Sequence, residues 1–145
     1  MTAALISVTA KGRELSRKIS ALLSEKNIVK RFCFYKNSDE NAVSFSDIKS
    51  LTASVFYESD ALIFICACGI AVRSVAPLIK SKALDPAVIV IDDEGRFVIS
   101  VLSGHIGGAN RLARMLALRT GAEAVITTAT DIGGRFSPDS FAKAN

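Results

Sequence analysis

Two wholly apolar runs constrain this chain more than anything else in it. Ala61-Leu-Ile-Phe-Ile-Cys66 and Ala87-Val-Ile-Val-Ile91 contain no polar side chain, so a strand built from either must be covered on both faces, as in helix-covered parallel sheets. Ala4 to Thr9 and Ile28 to Tyr35 read as further strands. Between them, Lys11 to Ser24 carries Leu15, Ile19, Leu22 and Leu23 at helical spacing. Asn37 to Ser46 is polar and reads as an exposed loop, after which Asp47 is placed to cap a short helix running to about Tyr57. Gly69 to Lys80 returns to helical spacing until Pro77 interrupts it. Asp93 to Arg96 should turn Ala87–Ile91 into Phe97–Leu102 as a hairpin. A helix over 108–120, stopped by Gly121, and a strand over Ala124 to Thr127 complete the pattern. This alternation predicts an α/β fold of three layers: a mostly parallel sheet, helices on both faces and one β-hairpin.

At 145 residues, half of them hydrophobic, the chain is the size of one domain with a substantial core. Its apolar runs are far shorter than the roughly twenty residues a bilayer requires. No basic segment precedes the apolar start, so it reads as a first strand and not a signal peptide, and a cytoplasmic location is expected. Cys66 and Cys68 should alternate along a strand, a poor spacing for one metal; with Cys33 they read as buried free thiols. The net charge is +4. The few aromatics are not interleaved with the basic residues, which argues against nucleic acid and leaves a polyanionic small molecule.

The candidate chemistry lies in Ser103-Gly-His-Ile-Gly-Gly-Ala-Asn110. A glycine-rich turn entering a helix presents backbone N–H groups and a positive dipole end to an anion. The same residues also suit a plain tight turn capped by Ser103 or Asn110. His105, the sole histidine, belongs to the residue type whose reference pKa lies near neutrality and so suits proton transfer; equally, it suits a hydrogen bond to a turn carbonyl. Thr127-Thr-Ala-Thr-Asp131 offers hydroxyls and a carboxylate, or an ordinary strand end followed by an Asx turn. Cys68-Gly-Ile-Ala-Val-Arg73 begins a helix at Gly69, and Arg73, Lys80 and Lys82 are placed to grip carboxylates. If every strand ends on one side, the loops at Thr9–Gly12, Ala67–Gly69, Ser103–His105 and Thr127–Asp131 converge on a single rim.

Cys68–Arg73, Leu78–Lys82, Asp85–Asp92, Leu102–Asn110 and Ile126–Asp131, in this order, resemble the N-terminal region of the CbiG family. These are the cobalt-precorrin-5A hydrolases of anaerobic cobalamin (vitamin B12) biosynthesis. The resemblance is strong from about Ala61 to Asp131 and compatible from Ala4 to Tyr57. It implies a flavodoxin-like domain over residues 1–136, with 137–145 opening a middle segment and a C-terminal domain missing as partner. It also implies a hydrolase that opens the δ-lactone of cobalt-precorrin-5A with release of acetaldehyde. The substrate is a tetrapyrrole ringed with acetates and propionates. Its cobalt comes with it, so neither a protein metal site nor a cofactor is required.

On this basis His105 and Asp131 are the expected catalytic pair. Gly69, Arg73, Ser103, Gly104, Gly107, Gly108, Asn110, Thr127, Thr128 and Thr130 are expected to bind substrate. Neither a nucleic-acid nor a membrane partner is expected, and a homodimer is left open. Two rival readings are a non-catalytic tetrapyrrole-binding module of the same enzyme and a flavin- or nucleotide-binding domain using the Gly107–Gly108 turn.

Overall fold

The computed structural model describes residues 1–37 and 39–128. Seven strands form one sheet: β1 (Thr2–Ser7), β2 (Ile28–Phe34), β3 (Val43–Phe45), β4 (Ala61–Ile65), β5 (Ala87–Ile91), β6 (Phe97–Leu102) and β7 (Glu123–Val125). Their order across the sheet is β3-β2-β1-β4-β5-β6-β7. With the edge strand β3 set aside, β2-β1-β4-β5 follows the flavodoxin-like doubly wound order. Beyond β5 the direction changes. β6 pairs with β5 antiparallel and β7 pairs with β6 parallel, so the last two strands run opposite to the first five.

The helices are α1 (Ala10–Ser24), α2 (Ile48–Val55), α3 (Cys68–Val75) and α4 (Ala109–Thr120). Strand periodicity divides the core between them. Leu5, Ile63, Ile65 and Ile89 face Ile19 and Leu23 of α1 and Leu112 and Leu116 of α4. The alternate residues Ile6, Leu62, Phe64 and Val90 face Val55 of α2 and Ala71 and Val75 of α3. β4 and β5 are buried along their whole length, as their unbroken apolar sequences require.

The helix ends obey local chemistry. Thr9 caps α1 by accepting from the Gly12 amide, and Asp47 caps α2 by accepting from the Ser50 amide. Gly121, at φ 75°, closes α4 in the left-handed conformation that glycine tolerates. Pro77 ends α3 early, and Ala76–Leu78 continues as a single 3-10 turn. Three expectations need correction. The segment from Asn37 to Ser46 is not all loop, because Val43–Phe45 pairs with β2. The last described strand is Glu123–Val125 and stops before Thr127. Cys66 is buried, whereas Cys68 begins α3 and is exposed; burial pushes the Cys66 thiol up to about 12.

One polar cluster staples the β2 edge. Arg31, only 8% exposed, donates to the Asp39 carboxylate at 2.6 Å and to Ser16 Oγ of α1 at 3.1 Å. Arg17 donates to the same carboxylate at 2.7 Å. These two guanidinium groups hold the Asp39 carboxyl well below the usual carboxylate range. A depressed carboxylate pKa stabilises the fold above the ordinary aspartate value, about 3.9, and that contribution is lost as acid titrates the native group. Asp39→Asn is therefore expected to lower the thermal midpoint at pH 7. The difference from the parent should shrink below pH 4, as a series of melts across pH 2–7 would show.

Candidate active site

The reversal of β6 decides where the candidate residues lie. Leu102 at the end of β6 pairs with Val88 near the start of β5, while Val98 pairs with Ile91 at its end. Ser103 to Gly108 therefore emerges at the amino ends of β1, β4 and β5. The turn into α3 at Gly69 emerges at their carboxyl ends. Five strand residues at about 3.3 Å each separate the two rims by roughly 16 Å. The expected single rim is thus corrected. Gly69 and Arg73 lie at one end of the sheet, and His105 and Thr128 at the other.

At the carboxyl-end rim, the switch in strand order falls between β1 and β4, where doubly wound folds usually take ligands. Here an acidic side chain of the protein itself stands at that end of the sheet. The Asp93 carboxylate of the β5–β6 turn reaches the first turn of α1, its Oδ1 3.0 Å from where a Cβ on Gly12 would stand. That oxygen is buried without a hydrogen-bond partner among the described residues, beside the amino-terminal end of α1. Glu94 of the same turn pairs with Lys11. Arg73 folds its guanidinium back over Gly69.

At the amino-end rim, Ser103, Gly104, His105 and Ile106 join Lys82 and Thr128 around a cleft of about 180 Å³. The loop that forms it is tightly determined. Ser103 adopts φ 57°, in the left-handed region rare for side-chain-bearing residues. It is held there because its hydroxyl donates to the Asp85 carbonyl at 2.9 Å and its carbonyl accepts from the Ala109 amide at 3.2 Å. A Cβ on Gly107 would lie 2.4 Å from Ser103 Cβ and 2.8 Å from the Ser103 carbonyl oxygen. Only glycine fits there. A Cβ on Gly104 would meet Asn110 Oδ1 at 2.8 Å.

Asn110 is 4% exposed. Its Oδ1 accepts from Ser100 Oγ at 2.7 Å and its Nδ2 donates to Thr128 Oγ1 at 2.9 Å. It ties β6, the loop and the segment after β7 together and has no surface to offer a ligand. Ser103 is likewise buried and structural. The first amides of α4 are also spoken for: Gly108, Ala109 and Asn110 donate to the carbonyls of His105, Ser103 and Gly104. The glycine-rich turn is therefore not an open phosphate cradle, which removes the geometric basis of the flavin or nucleotide reading. The cleft is lined instead by residues with functional side chains, His105, Lys82 and Thr128 among them. Thr127 lies beside it and is exposed. Thr130 and Asp131 lie outside the described residues, as does the segment 137–145.

Sequence reasoning missed Asp85. It reads there as half of an Asp-Pro turn, yet its carboxylate, 4% exposed, accepts from the Lys80 amide at 3.0 and 3.1 Å. That closes the segment carrying Lys82, while the Asp85 carbonyl anchors Ser103. Lys80 instead rests over the Tyr57 ring, 4.5 Å from its centroid. A larger groove of about 370 Å³ lies beside β2 and β3, lined by Phe32, Val43 and Val55 among others. Its polar lining is Thr2, Lys30, Glu58 and Ser59, without a histidine, so the imidazole and not the volume selects the cleft at His105.

Residues 50–131 match the family model described as cobalamin synthesis G N-terminal. The chain belongs to this family. It is 41% identical over 143 residues to a cobalt-precorrin-5A hydrolase of Priestia megaterium and 45% identical over 140 residues to one of Salmonella typhimurium. These alignments take in 97% and 96% of the chain but only 38% and 39% of the relatives' length. A solved structure of a cobalamin biosynthesis protein G homolog from Sulfolobus solfataricus superposes with a TM-score of 0.66 at 26% identity. The match covers 99% of this chain and 44% of that one. Among the described residues no helix is long and apolar enough to cross a membrane.

The two kinds of glycine in this family member should behave differently on substitution. Gly107→Ala forces a clash with backbone and is expected to cost about 1–3 kcal/mol. Gly69→Ala meets only the movable tip of Arg73 at 3.4 Å and, lying in the first turn of α3, should be neutral or stabilising by up to about 1 kcal/mol. Urea unfolding of both variants checks the contrast.

Proposed function

We propose that this chain is the part of a cobalt-precorrin-5A hydrolase that receives the cobalt-carrying tetrapyrrole and opens its δ-lactone. Acetaldehyde is lost and cobalt-precorrin-5B is formed. The observation that carries this reading is that His105, Lys82 and Thr128 line one cleft, so that imidazole-, ammonium- and hydroxyl-bearing residues share one concave surface. The names of the relatives at 41–45% identity support it. Acetates and propionates around the macrocycle suit the basic rim, and the cobalt travels with the substrate, so the reading calls for no resident cofactor. A cytoplasmic site of action belongs to the same reading.

His105 is the proposed acid–base group. As water adds to the lactone carbonyl, the imidazole takes its proton. As the acyl carbon–oxygen bond breaks, the same proton passes to the departing ring oxygen. The alcohol so formed on the two-carbon unit then loses its hydroxyl proton as its C=O bond forms; its carbon–carbon bond to the macrocycle breaks, the electron pair passes into the macrocycle, and acetaldehyde leaves. The Lys82 ammonium stabilises the oxyanion formed between these events or holds a neighbouring carboxylate. Ser103, Gly104, Gly107 and Asn110 support the reaction by fixing the loop on which His105 stands.

The relatives' greater length favours a second reading, in which this chain holds the macrocycle and the remainder of such a protein acts on it. One experiment separates the two. The purified chain is given cobalt-precorrin-5A, and acetaldehyde is followed through NADH consumption by alcohol dehydrogenase. Catalysis by this chain predicts acetaldehyde release, and His105→Ala should slow it by about 10²- to 10⁴-fold. Equal rates for parent and variant would remove His105 from the chemistry, and binding without turnover would assign the holding role.

A further inference from the structure

The loop that carries His105 has a second side. The cleft of Lys82, His105 and Thr128 lies against one flank of the ridge Ser103 to Gly108. Against its other end, at Gly107 and Gly108, is a separate hollow of about 290 Å³ that Arg111, Leu112 and Met115 line together with Met1, Asn27 and Ala87. The two hollows share no lining residue. The ridge between them is tightly packed, since Gly107 leaves no room even for a Cβ. It is also stiff, because the amides of Gly108, Ala109 and Asn110 are bonded back into it.

Each hollow has its own cation. Arg111 is exposed in the first turn of α4 and turns its guanidinium toward Gly108, the Nη2 atom standing 3.9 Å from where a Cβ would be. Other arginines are already committed: Arg13 to Glu14, Arg17 and Arg31 to Asp39, Arg96 to Asp92, Arg119 to the Leu22 carbonyl. Arg111 makes no ion pair and no side-chain hydrogen bond among the described residues. A guanidinium facing an apolar hollow suits a carboxylate carried on a hydrocarbon body, which it can take in bidentate fashion.

We infer that Arg111 forms a second anionic subsite, so that one ligand straddles the ridge with one carboxylate at Lys82 and His105 and a neighbouring carboxylate at Arg111. This rests on the proposed tetrapyrrole site and extends it. The ligand class is a polycarboxylate with at least two acidic arms along one edge of a broad apolar frame. The Leu112 and Met115 side chains of the hollow meet that frame.

The test uses the whole chain and uroporphyrin, an octacarboxylate macrocycle, followed by quenching of its fluorescence. Lys82→Gln and Arg111→Gln are each expected to weaken binding by about five- to tenfold, with the losses multiplying in the double variant. Arg96→Gln, on the opposite rim, should bind as the parent does. If Arg111→Gln binds as tightly as the parent while Lys82→Gln does not, the second subsite is refuted and the His105 cleft stands alone. If the parent chain fails to bind uroporphyrin, the tetrapyrrole reading fails and takes the subsite with it.

Discussion

The antiparallel pairing of β6 with β5 is the contact on which the rest of the molecule's organisation depends. Five parallel strands would deliver every loop of small polar residues to the carboxyl-end rim. By turning back through Asp92 to Arg96, the chain sends Ser103–Gly108 and the segment after β7 to the opposite rim instead. There they meet the Ile79–Pro86 connection, and the Ser103–Asp85 hydrogen bond joins the two loops. The pairing is secured by apolar burial. Val88, Ile89, Val90 and Val98 are all essentially inaccessible to solvent, and each such side chain contributes about 1.5–3 kcal/mol relative to exposure. The location of the polar chemistry is thus fixed by the least polar part of the sequence.

The same hairpin closes one option as it opens another. Its tip places Asp93 at the start of α1 and Glu94 on Lys11, satisfying internally the positive potential that doubly wound folds commonly offer to ligands. On the proposed reading an incoming anion is met at the far end, where Lys82 and Arg111 flank the histidine loop. The proposed site's departure from the switch-point rule is traced to two acidic residues in one turn.

Much of the fold was legible in sequence because burial and period speak directly. Ala61–Cys66 and Ala87–Ile91 could only be covered strands, and Leu15, Ile19 and Leu23 could only be one helix face. The β5–β6 turn was legible as well, but its consequence for the loops was lost, since a list of strand ends carries no direction. β3 escaped notice because Val43-Ser-Phe45 is too short for a period to register. The site was half legible. His105 and its glycines stand out by composition, whereas the work of Asn110, Ser103 and Asp85 is spatial: each bonds a segment at least ten residues away. Arg111 looked like any helix-surface arginine until its neighbours were known.

Ser103, held in the left-handed region by two hydrogen bonds and locked by Gly107, has a further effect. A loop already fixed in its working shape has no disorder left to surrender when a ligand arrives, so little of the interaction energy is diverted into freezing it. Encounter then needs no closing motion, and differences in affinity among ligands should appear in how long they stay and not in how fast they arrive.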